Sequence, residues 1–138
     1  MVMIEKTIPE IMLLNDYFSR LLGIKIIKQN SSEIVLNLKI KKKFMNGFNL
    51  LHGGVTFSLA DTALAFASNF NGKKSVTIDS SISYFIKCNT GDILTAKTRE
   101  INSSKKFGIY EVEILNQENK LIAKFKGTVY RYIENIKS

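Results

Sequence analysis

One stretch of the chain, from Asn46 to Asp61, carries residue types that suit acyl-transfer chemistry. His52, Gly53 and Gly54 lie in it where a polar loop leads into a long apolar segment with the periodicity of a helix. The first turn of a helix has unpaired N–H donors and a partial positive charge, and glycines leave that backbone uncovered. We expect this turn to hold a developing oxyanion on a substrate carbonyl.

Asp61 is a carboxylate in the middle of an otherwise apolar segment. Burying a carboxylate without a partner is costly, so Asp61 must gain a partner, become protonated or have a function. We favour a function because the two glycines lie just upstream. The alternative is a structural carboxylate that accepts a hydrogen bond from a neighbouring backbone group or hydroxyl, such as that of Thr62 or Thr56.

The spacing of these groups predicts more than one subunit. Asp61 follows Gly53 by eight residues, which is about 12 Å along a helix at 1.5 Å per residue. A carboxylate at that distance does not easily reach a carbonyl held at the start of its own helix. We therefore predict a homodimer in which one subunit supplies the carboxylate and the other supplies the N–H donor.

The chain has one histidine, His52, and one cysteine, Cys88. Two such residues are too few for a Cys/His zinc site or a disulfide framework, and no metal ion or other cofactor is predicted. His52 is a candidate general base, but beside two glycines a ring hydrogen bond that holds the loop is the favoured interpretation. Cys88 is interpreted as an incidental thiol, because a catalytic cysteine needs a base partner.

Hydrophobic periodicity predicts two helices that frame this stretch. The first covers Pro9–Leu22 and the second covers Gly54–Phe70, with a polar loop over Lys41–Asn49 before the second. Almost every side of the second helix is apolar, so we expect it to be buried nearly all round. The repeating apolar positions of the first helix lie on one face: Ile11, Leu14, Phe18 and Leu21.

Alternating or apolar runs bounded by short polar turns predict six strands. They are Ile24–Gln29, Glu33–Ile40, Ser75–Ile86, Ile93–Ile101, Phe107–Leu115 and Leu121–Tyr132. The order of elements predicts an α+β fold in which one antiparallel sheet wraps around one central helix.

The length of 138 residues predicts a single domain over 1–138. Lysines and arginines total 20 against 12 acidic residues, a net charge of +8. The lysines are scattered, so we favour a solvated surface and no nucleic-acid partner, with attraction of an anionic ligand as the alternative. One cysteine allows no disulfide framework, so we expect a cytoplasmic protein. No apolar run is long enough to cross a membrane, and the first ten residues lack a signal-peptide pattern.

The run HGGVTFSLADTALAFASN, with Asn-Gly six residues before Gly-Gly, resembles the hotdog-fold thioesterases. It is similar to the phenylacetate-degradation branch, which hydrolyses hydroxyphenylacetyl-CoA and related acyl-CoA thioesters. The similarity continues through VTIDSSISYF, GDILTAKTREI and GIYEVEILNQENKLIAKFKG, and it covers about Leu22 to Arg131. The resemblance implies a hotdog fold, an acyl-CoA thioesterase activity and a homotetramer built as a dimer of dimers.

The resemblance also implies roles for individual residues. Asp61 matches the catalytic carboxylate, which is either a nucleophile or the base that activates water. Gly53 matches the glycine whose N–H polarises the thioester carbonyl, and Asn46 matches the asparagine that orients the attacking water or reacting group. Thr77 falls where the family often has Ser or Thr near the carboxylate. In the family the carboxylate and the asparagine–glycine pair come from opposite subunits.

Other residues are candidates for binding the substrate. Lys105 and Lys106 fall in a predicted turn beside Phe107 and suit the phosphates and adenine of coenzyme A, although two solvated turn lysines would give the same pattern. His52 and Gly54 border the oxyanion turn. The candidates for the acyl pocket, with core packing as the alternative, are Phe48, Leu50, Leu51 and Phe57.

Two other functions of the same fold are weaker predictions. A hydroxyacyl-thioester dehydratase uses a histidine with a carboxylate and a Pro-Gly loop, and the one proline here is Pro9. A non-catalytic acyl-CoA sensor would need an added DNA-binding segment. The chain also departs from many thioesterase relatives, which have Arg-Pro where it has Ile86-Lys87, so no arginine–phosphate contact is expected there.

Overall fold

The computed structural model describes residues 5–136, apart from the side chain of Glu134. Its helices and strands, in chain order, are α1 Ile8–Asn15, α2 Tyr17–Leu22, β1 Lys25–Gln29, β2 Ile34–Lys39, α3 Gly53–Asn69, β3 Lys73–Tyr84, β4 Ile93–Ser103, β5 Phe107–Leu115 and β6 Leu121–Asn135. A 3₁₀ turn over Lys42–Phe44 lies in the predicted loop before α3. Within the described range, none of the helices is long and apolar enough to cross a membrane.

The six strands form one antiparallel sheet in the order β1-β2-β4-β5-β6-β3. The central helix α3 packs against β2, β3, β4, β5 and β6. This is the predicted α+β arrangement, and all six predicted strands are present. Strand β3 lies at one end of the sheet, where it pairs with β6 and leaves its other edge open.

The hydrophobic core lies between α3 and the sheet. Leu59, Ala60, Ala63 and Leu64 of α3 are completely buried, and among residues 53–70 only Gly54 is exposed. The prediction of a helix buried nearly all round is therefore confirmed. The two layers approach closely at Gly127 of β6, where a Cβ atom would lie 2.4 Å from Leu64 Cδ2.

The prediction of one helix over Pro9–Leu22 is wrong, because the helix is interrupted at Asp16 and two shorter helices form. Asp16 has φ −96° and ψ 89°, and its side chain accepts a hydrogen bond from the Ser19 N–H at 2.9 Å. Asp16 thus ends α1 and caps α2. The Ser19 hydroxyl lies 3.1 Å from that of Thr62 and links α2 to α3. Three residues of the predicted apolar face are exposed: Leu14, Phe18 and Leu21.

The boundaries of β3 differ from the prediction at both ends. The strand begins at Lys73 and ends at Tyr84 rather than covering 75–86. Its ladder ends there because the N–H groups of Phe85 and Ile86 both point at one carbonyl, that of Ile122. This end of β3 lies beside the start of α3, since the Tyr84 side chain reaches the first helical residue.

Candidate active site

The first turn of α3 presents the Gly53 N–H as a free donor. His52 is the N-cap, and its Nδ1 atom accepts a hydrogen bond from the Gly54 N–H at 2.9 Å. This is the loop-holding ring hydrogen bond that the sequence favoured for His52, and it occupies the Gly54 N–H. Within residues 5–136, the Gly53 N–H donates to no acceptor. Gly53, rather than Gly54, therefore offers a donor to a substrate carbonyl.

Asn46 lies beside this donor in a cleft of about 350 Å³. Its Oδ1 atom accepts hydrogen bonds from the N–H groups of Phe48 at 2.9 Å and Leu50 at 3.2 Å, so the amide oxygen shapes the loop. The Nδ2 group donates to no other residue in the described part of the chain and is free to meet water or substrate. The cleft is also lined by Leu50, Leu51, Gly53, Thr56, Tyr84, Phe85, Ile86, Lys87, Cys88 and Ile122.

Asp61 lies further along α3, half-buried, and it has a hydroxyl partner on β3. The Thr77 hydroxyl donates to Asp61 Oδ1 at 2.9 Å. The second carboxylate oxygen accepts no hydrogen bond from the residues that the structure describes. The two partners named for a structural carboxylate do not bond to Asp61: the Thr62 hydroxyl donates to the Ser58 carbonyl instead, and Thr56 is buried elsewhere on the helix.

Asp61 and Thr77 border a second cleft, of about 680 Å³. No residue belongs to the linings of both clefts. Within one chain the carboxylate and the free Gly53 N–H therefore face different spaces, about 12 Å apart along the helix. The strand register shifts between Thr77 and Asp79, and such a bulge directs the side chains next to it.

A buried polar network fixes β3 against the end of α3. The Asn69 side chain donates to the Ser75 carbonyl at 3.2 Å and accepts from the Ser75 N–H at 2.8 Å. The Ser75 hydroxyl donates to the Ser68 carbonyl at 3.0 Å. Because Thr77 follows Ser75 by two residues on the same strand, the network sets the position of Thr77 along α3. Sequence reasoning missed it, since no spacing pattern pairs a helix side chain with a strand backbone.

Tyr84 is a second residue that sequence reasoning missed. Its hydroxyl donates to the Gly53 carbonyl at 2.7 Å. A Cβ atom on Gly53 would lie 3.0 Å from that hydroxyl and 3.1 Å from Tyr84 Cζ. Glycine at position 53 thus lets the end of the Tyr84 side chain approach the helix closely, and a side chain there would force it to shift by a few tenths of an ångström.

Two candidates for the acyl pocket, Phe48 and Phe57, do not line the Gly53 cleft, whereas Cys88 does. Phe48 is 88% exposed on the loop after Asn46, and Phe57 packs edge-to-face on Phe125 with ring centroids 5.3 Å apart. Cys88 is buried, and burial, with a smaller effect of Asp92, raises the pKa of its thiol to about 11. A thiol with such a high pKa is a poor nucleophile at neutral pH, as expected for an incidental cysteine.

Lys105 and Lys106 lie in the turn between β4 and β5. Lys105 borders a third cleft, of about 360 Å³, together with Lys73, Arg131 and Ser68 near the last turns of α3. Ser68 is fifteen residues beyond the start of α3, about 22 Å along the helix axis. Neither lysine thus reaches the Gly53 cleft of its own chain. Within residues 5–136, no three His, Cys, Asp or Glu side chains form a group that could hold a metal ion.

The family of the chain follows from a comparison with known proteins. The family model described as the thioesterase superfamily matches residues 48–123, more than half of the chain. The chain belongs to the thioesterase superfamily. The matched range contains Gly53, Asp61 and Thr77, whereas Asn46 lies two residues before it.

Individual relatives give the same result for this thioesterase. Acyl-coenzyme A thioesterase PaaI of Escherichia coli (strain K12) is 37% identical over 117 residues, which cover 85% of this chain and 84% of that protein. The structure of the E. coli PaaI protein from the phenylacetic acid degradation operon matches with a TM-score of 0.90, 35% identity and 93% of each chain covered. These matches confirm the hotdog fold and support membership of the phenylacetate-degradation branch.

A third relative comes from another organism. A structure of a variant of the phenylacetic acid degradation protein PaaI from Thermus thermophilus matches with a TM-score of 0.81 and 32% identity. The match covers 85% of this chain and 100% of the Thermus thermophilus chain. The family model and the E. coli acyl-coenzyme A thioesterase together show the enzyme class, a thioesterase.

Proposed function

We propose that the protein hydrolyses acyl-CoA thioesters to a free acid and CoA, with aryl-acetyl thioesters such as hydroxyphenylacetyl-CoA as substrates. The observation that carries the proposal is the pairing of a free Gly53 N–H at a helix start with the Thr77-held Asp61 carboxylate in a thioesterase fold. The choice of acyl group is supported by similarity to the PaaI proteins, whose descriptions refer to phenylacetic acid degradation.

In the proposed reaction the thioester carbonyl oxygen accepts a hydrogen bond from the Gly53 N–H, which stabilises negative charge as the carbonyl is attacked. Asp61 either attacks the carbonyl carbon itself or removes a proton from water that attacks it. The C–S bond breaks, CoA leaves as a thiolate that takes up a proton, and one water molecule supplies the OH of the acid. Asn46 Nδ2 and the Thr77 hydroxyl orient that water and the carboxylate.

The proposed site is shared between two copies of the chain. In one copy Asp61 and Gly53 face separate clefts, so a second copy must bring its Asp61 to the first copy's Gly53. The open edge of β3, next to Thr77, is a suitable surface for a second copy because its backbone groups lack strand partners. The dimer of dimers implied by the family resemblance remains a prediction.

Lys105 and Lys106 stay candidates for the CoA phosphates under this proposal. Both lysines lie far from Gly53 of their own chain. If they contact the CoA phosphates, the substrate must therefore be bound at the Gly53 site of another subunit. Phe48, which is exposed beside Asn46, is available to contact a substrate. His52 and Gly54 contribute by fixing the first turn of α3, while Phe57 contributes through its packing on Phe125.

The proposed activity is tested by measuring release of the CoA thiol with DTNB over a panel of aryl-acetyl, short-chain and long-chain acyl-CoAs. The buried Cys88 thiol, with a pKa of about 11, should give little background. We expect turnover with aryl-acetyl thioesters. Binding of acyl-CoA without thiol release would instead favour a non-catalytic acyl-CoA-binding protein.

Asp61→Asn should lower kcat by about 100-fold or more, because the amide is neither a nucleophile nor a base. Glu118→Gln is a matched carboxylate-to-amide control, since Glu118 is an exposed residue that pairs with Lys120. Circular dichroism and thermal melting should show both variants folded. Near-normal turnover of folded Asp61→Asn would refute the mechanism.

A further inference from the structure

The peptide group that joins Gly53 to Gly54 is held by side chains at both of its polar ends. Its carbonyl oxygen accepts a hydrogen bond from the Tyr84 hydroxyl at 2.7 Å. Its N–H donates to His52 Nδ1 at 2.9 Å. Tyr84 is 31 residues away in the chain, at the end of β3, so a strand and a loop meet on one peptide group of the helix.

The preceding peptide group, between His52 and Gly53, carries the free donor. The His52 carbonyl accepts a hydrogen bond from the Val55 N–H at 3.0 Å. Since the C=O and N–H of a trans peptide point in opposite directions, the Gly53 N–H points away from the body of the helix. Its direction depends on the peptide group that follows, through the dihedral angles of Gly53.

Two consecutive glycines make this turn the part of α3 with the greatest intrinsic backbone freedom. Helix ends also fray, because their first N–H groups have no partner within the helix. An N–H donor that stabilises a transition state works best when it is already aimed, since it then needs no reorganisation during the reaction. The turn therefore needs an external restraint, and the Tyr84 and His52 contacts supply one.

Tyr84 is suited to this restraint. Its ring lies over Gly53 so closely that a Cβ atom there would be 3.1 Å from Cζ. Desolvation raises the pKa of the Tyr84 phenol above its usual value, so the hydroxyl stays protonated and can donate across the neutral pH range.

We propose that Tyr84 is a positioning residue that, through the Gly53 carbonyl, holds the Gly53 N–H aimed at the carbonyl oxygen of the thioester. The inference rests on the proposed function. Tyr84 acts on the aim of the donor rather than on the reacting atoms. Loss of its hydroxyl should lower kcat and leave KM nearly unchanged, because the hydroxyl is already bonded to the Gly53 carbonyl and the ring that lines the cleft stays in place.

Tyr84→Phe removes the hydroxyl and keeps the ring over Gly53. We expect kcat to fall about tenfold, less than the loss for a 1 Å misplacement of a reacting group, with KM changed less than about twofold. Tyr17→Phe is the matched control, because Tyr17 is 83% exposed and its hydroxyl bonds to no other described residue. The control should keep wild-type kcat and KM.

NMR detects the contact between Tyr84 and the Gly53 carbonyl without an activity assay. His52 is the one histidine, so protein labelled with carbonyl-¹³C histidine and ¹⁵N glycine gives a single correlated amide signal, that of Gly53. Gly53-Gly54 is the only pair of consecutive glycines in the sequence, so doubly labelled glycine selects Gly54 in the same way. Tyr84→Phe should shift both signals, and Tyr17→Phe should shift neither.

His52→Ala supplies a second variant that acts on the same peptide group. Its effect on kcat should be smaller in the Tyr84→Phe background than in the wild type, since the two contacts restrain one unit. Independent, multiplicative effects would contradict the proposal, as would unchanged kcat in Tyr84→Phe or unmoved Gly53 and Gly54 signals. If the wild-type protein is active and Tyr84→Phe has the same kcat, only the role of Tyr84 is overturned. If the wild-type protein hydrolyses none of the thioesters, the proposed function is overturned and the role of Tyr84 with it.

Discussion

At the scale of single residues, the central feature is a carboxylate with one oxygen held and one oxygen free. The Thr77 hydroxyl bonds to Asp61 Oδ1, which fixes the orientation of the carboxylate while Oδ2 stays open to the second cleft. In the proposed reaction, a carboxylate restrained in this way loses little rotational freedom. Thr77 therefore orients Asp61. Substitutions at position 77 can separate the effect of the hydroxyl from that of the shape of the side chain.

Thr77→Val replaces the hydroxyl with a methyl group of similar shape. We expect kcat on the best thioester to fall about tenfold, the size of one hydrogen bond to a charged group, while the melting temperature changes little. Thr77→Ser keeps the hydroxyl and should retain most of the activity. If Thr77→Val and Thr77→Ser are equally active in steady-state assays, Thr77 does not orient the carboxylate.

Sequence reasoning named two residues of the candidate site from their own surroundings in the chain. Asp61 stood out as a charge in an apolar helix, and His52 stood out beside two glycines. Thr77 and Asn46 came from the family resemblance. Tyr84 and Asn69 were missed because their roles depend on which part of β3 lies beside which turn of α3, and strand position along a helix is set by packing that one-dimensional spacing does not contain.

At the scale of the element, the start of α3 depends on an unusual cap. Histidine takes the place that Ser, Thr, Asp or Asn usually occupy, and it bonds to the N–H of the second helical residue. A Cβ atom on Gly54 would lie 3.0 Å from His52 Nδ1, so a larger residue at 54 would press on the capping ring. The His-Gly-Gly sequence is thus one structural unit.

His52→Ala should lower the free energy of unfolding by about 1 kcal/mol, the usual loss on removing an N-cap side chain. His52→Asn should retain most of the stability because asparagine is a good N-cap. Urea titrations followed by circular dichroism measure both values. Equal losses in the two variants would show that His52 stabilises the protein by some means other than capping.

A second element-scale feature is an ion cluster across β4, β5 and β6. Glu111 bonds to Arg99, which lies opposite it on β4, and to Lys124 at 2.7 Å on β6. The hydrogen bond to Lys124, followed by that to Arg99, lowers the pKa of Glu111 from its usual value of 4.5. The folded protein therefore keeps this carboxylate charged at a pH where the unfolded chain binds a proton.

The stabilisation from Glu111 should be fully present above about pH 4.5 and should disappear as the pH falls through the lowered pKa of the folded state. Glu111→Gln removes this dependence. Urea unfolding at pH 6 and pH 3 should show a smaller loss of stability between the two for Glu111→Gln than for wild type. Glu118→Gln, which alters an exposed pair, should behave like wild type, and identical pH dependence of all three proteins would contradict the role of the cluster.

Element types were more predictable than element ends. Alternating or apolar runs predicted the six strands, and α3 was predicted from a periodic segment that is apolar on almost every side. The break at Asp16 was missed because the apolar spacing continues through it. Asp16 is a helix-capping residue three positions before Ser19, a signal that was present in the sequence and outweighed by the longer pattern.

At the scale of the whole molecule, the two clefts mean that the proposed site is complete only in an assembly. Four chains of 15.6 kDa would give the predicted homotetramer a mass of about 62 kDa. Sedimentation should show this species, or the dimer from which it is built, under assay conditions. A monomer with full turnover would contradict the shared site.

The most direct test of the shared site is complementation between two inactive subunits. Asn46→Asp keeps the oxygen that accepts from Phe48 and Leu50 and removes the Nδ2 donor, while Asp61→Asn removes the carboxylate. In a mixed dimer both defects fall on one site and the other site is intact.

The measurement is the thioesterase activity of Asp61→Asn and Asn46→Asp subunits, tagged differently and refolded together in equal amounts. Half of the dimers should be mixed and each mixed dimer should have one intact site of two, so the mixture should recover about one quarter of wild-type kcat. Mixed dimers isolated by both tags that stay as inactive as either parent would contradict the account.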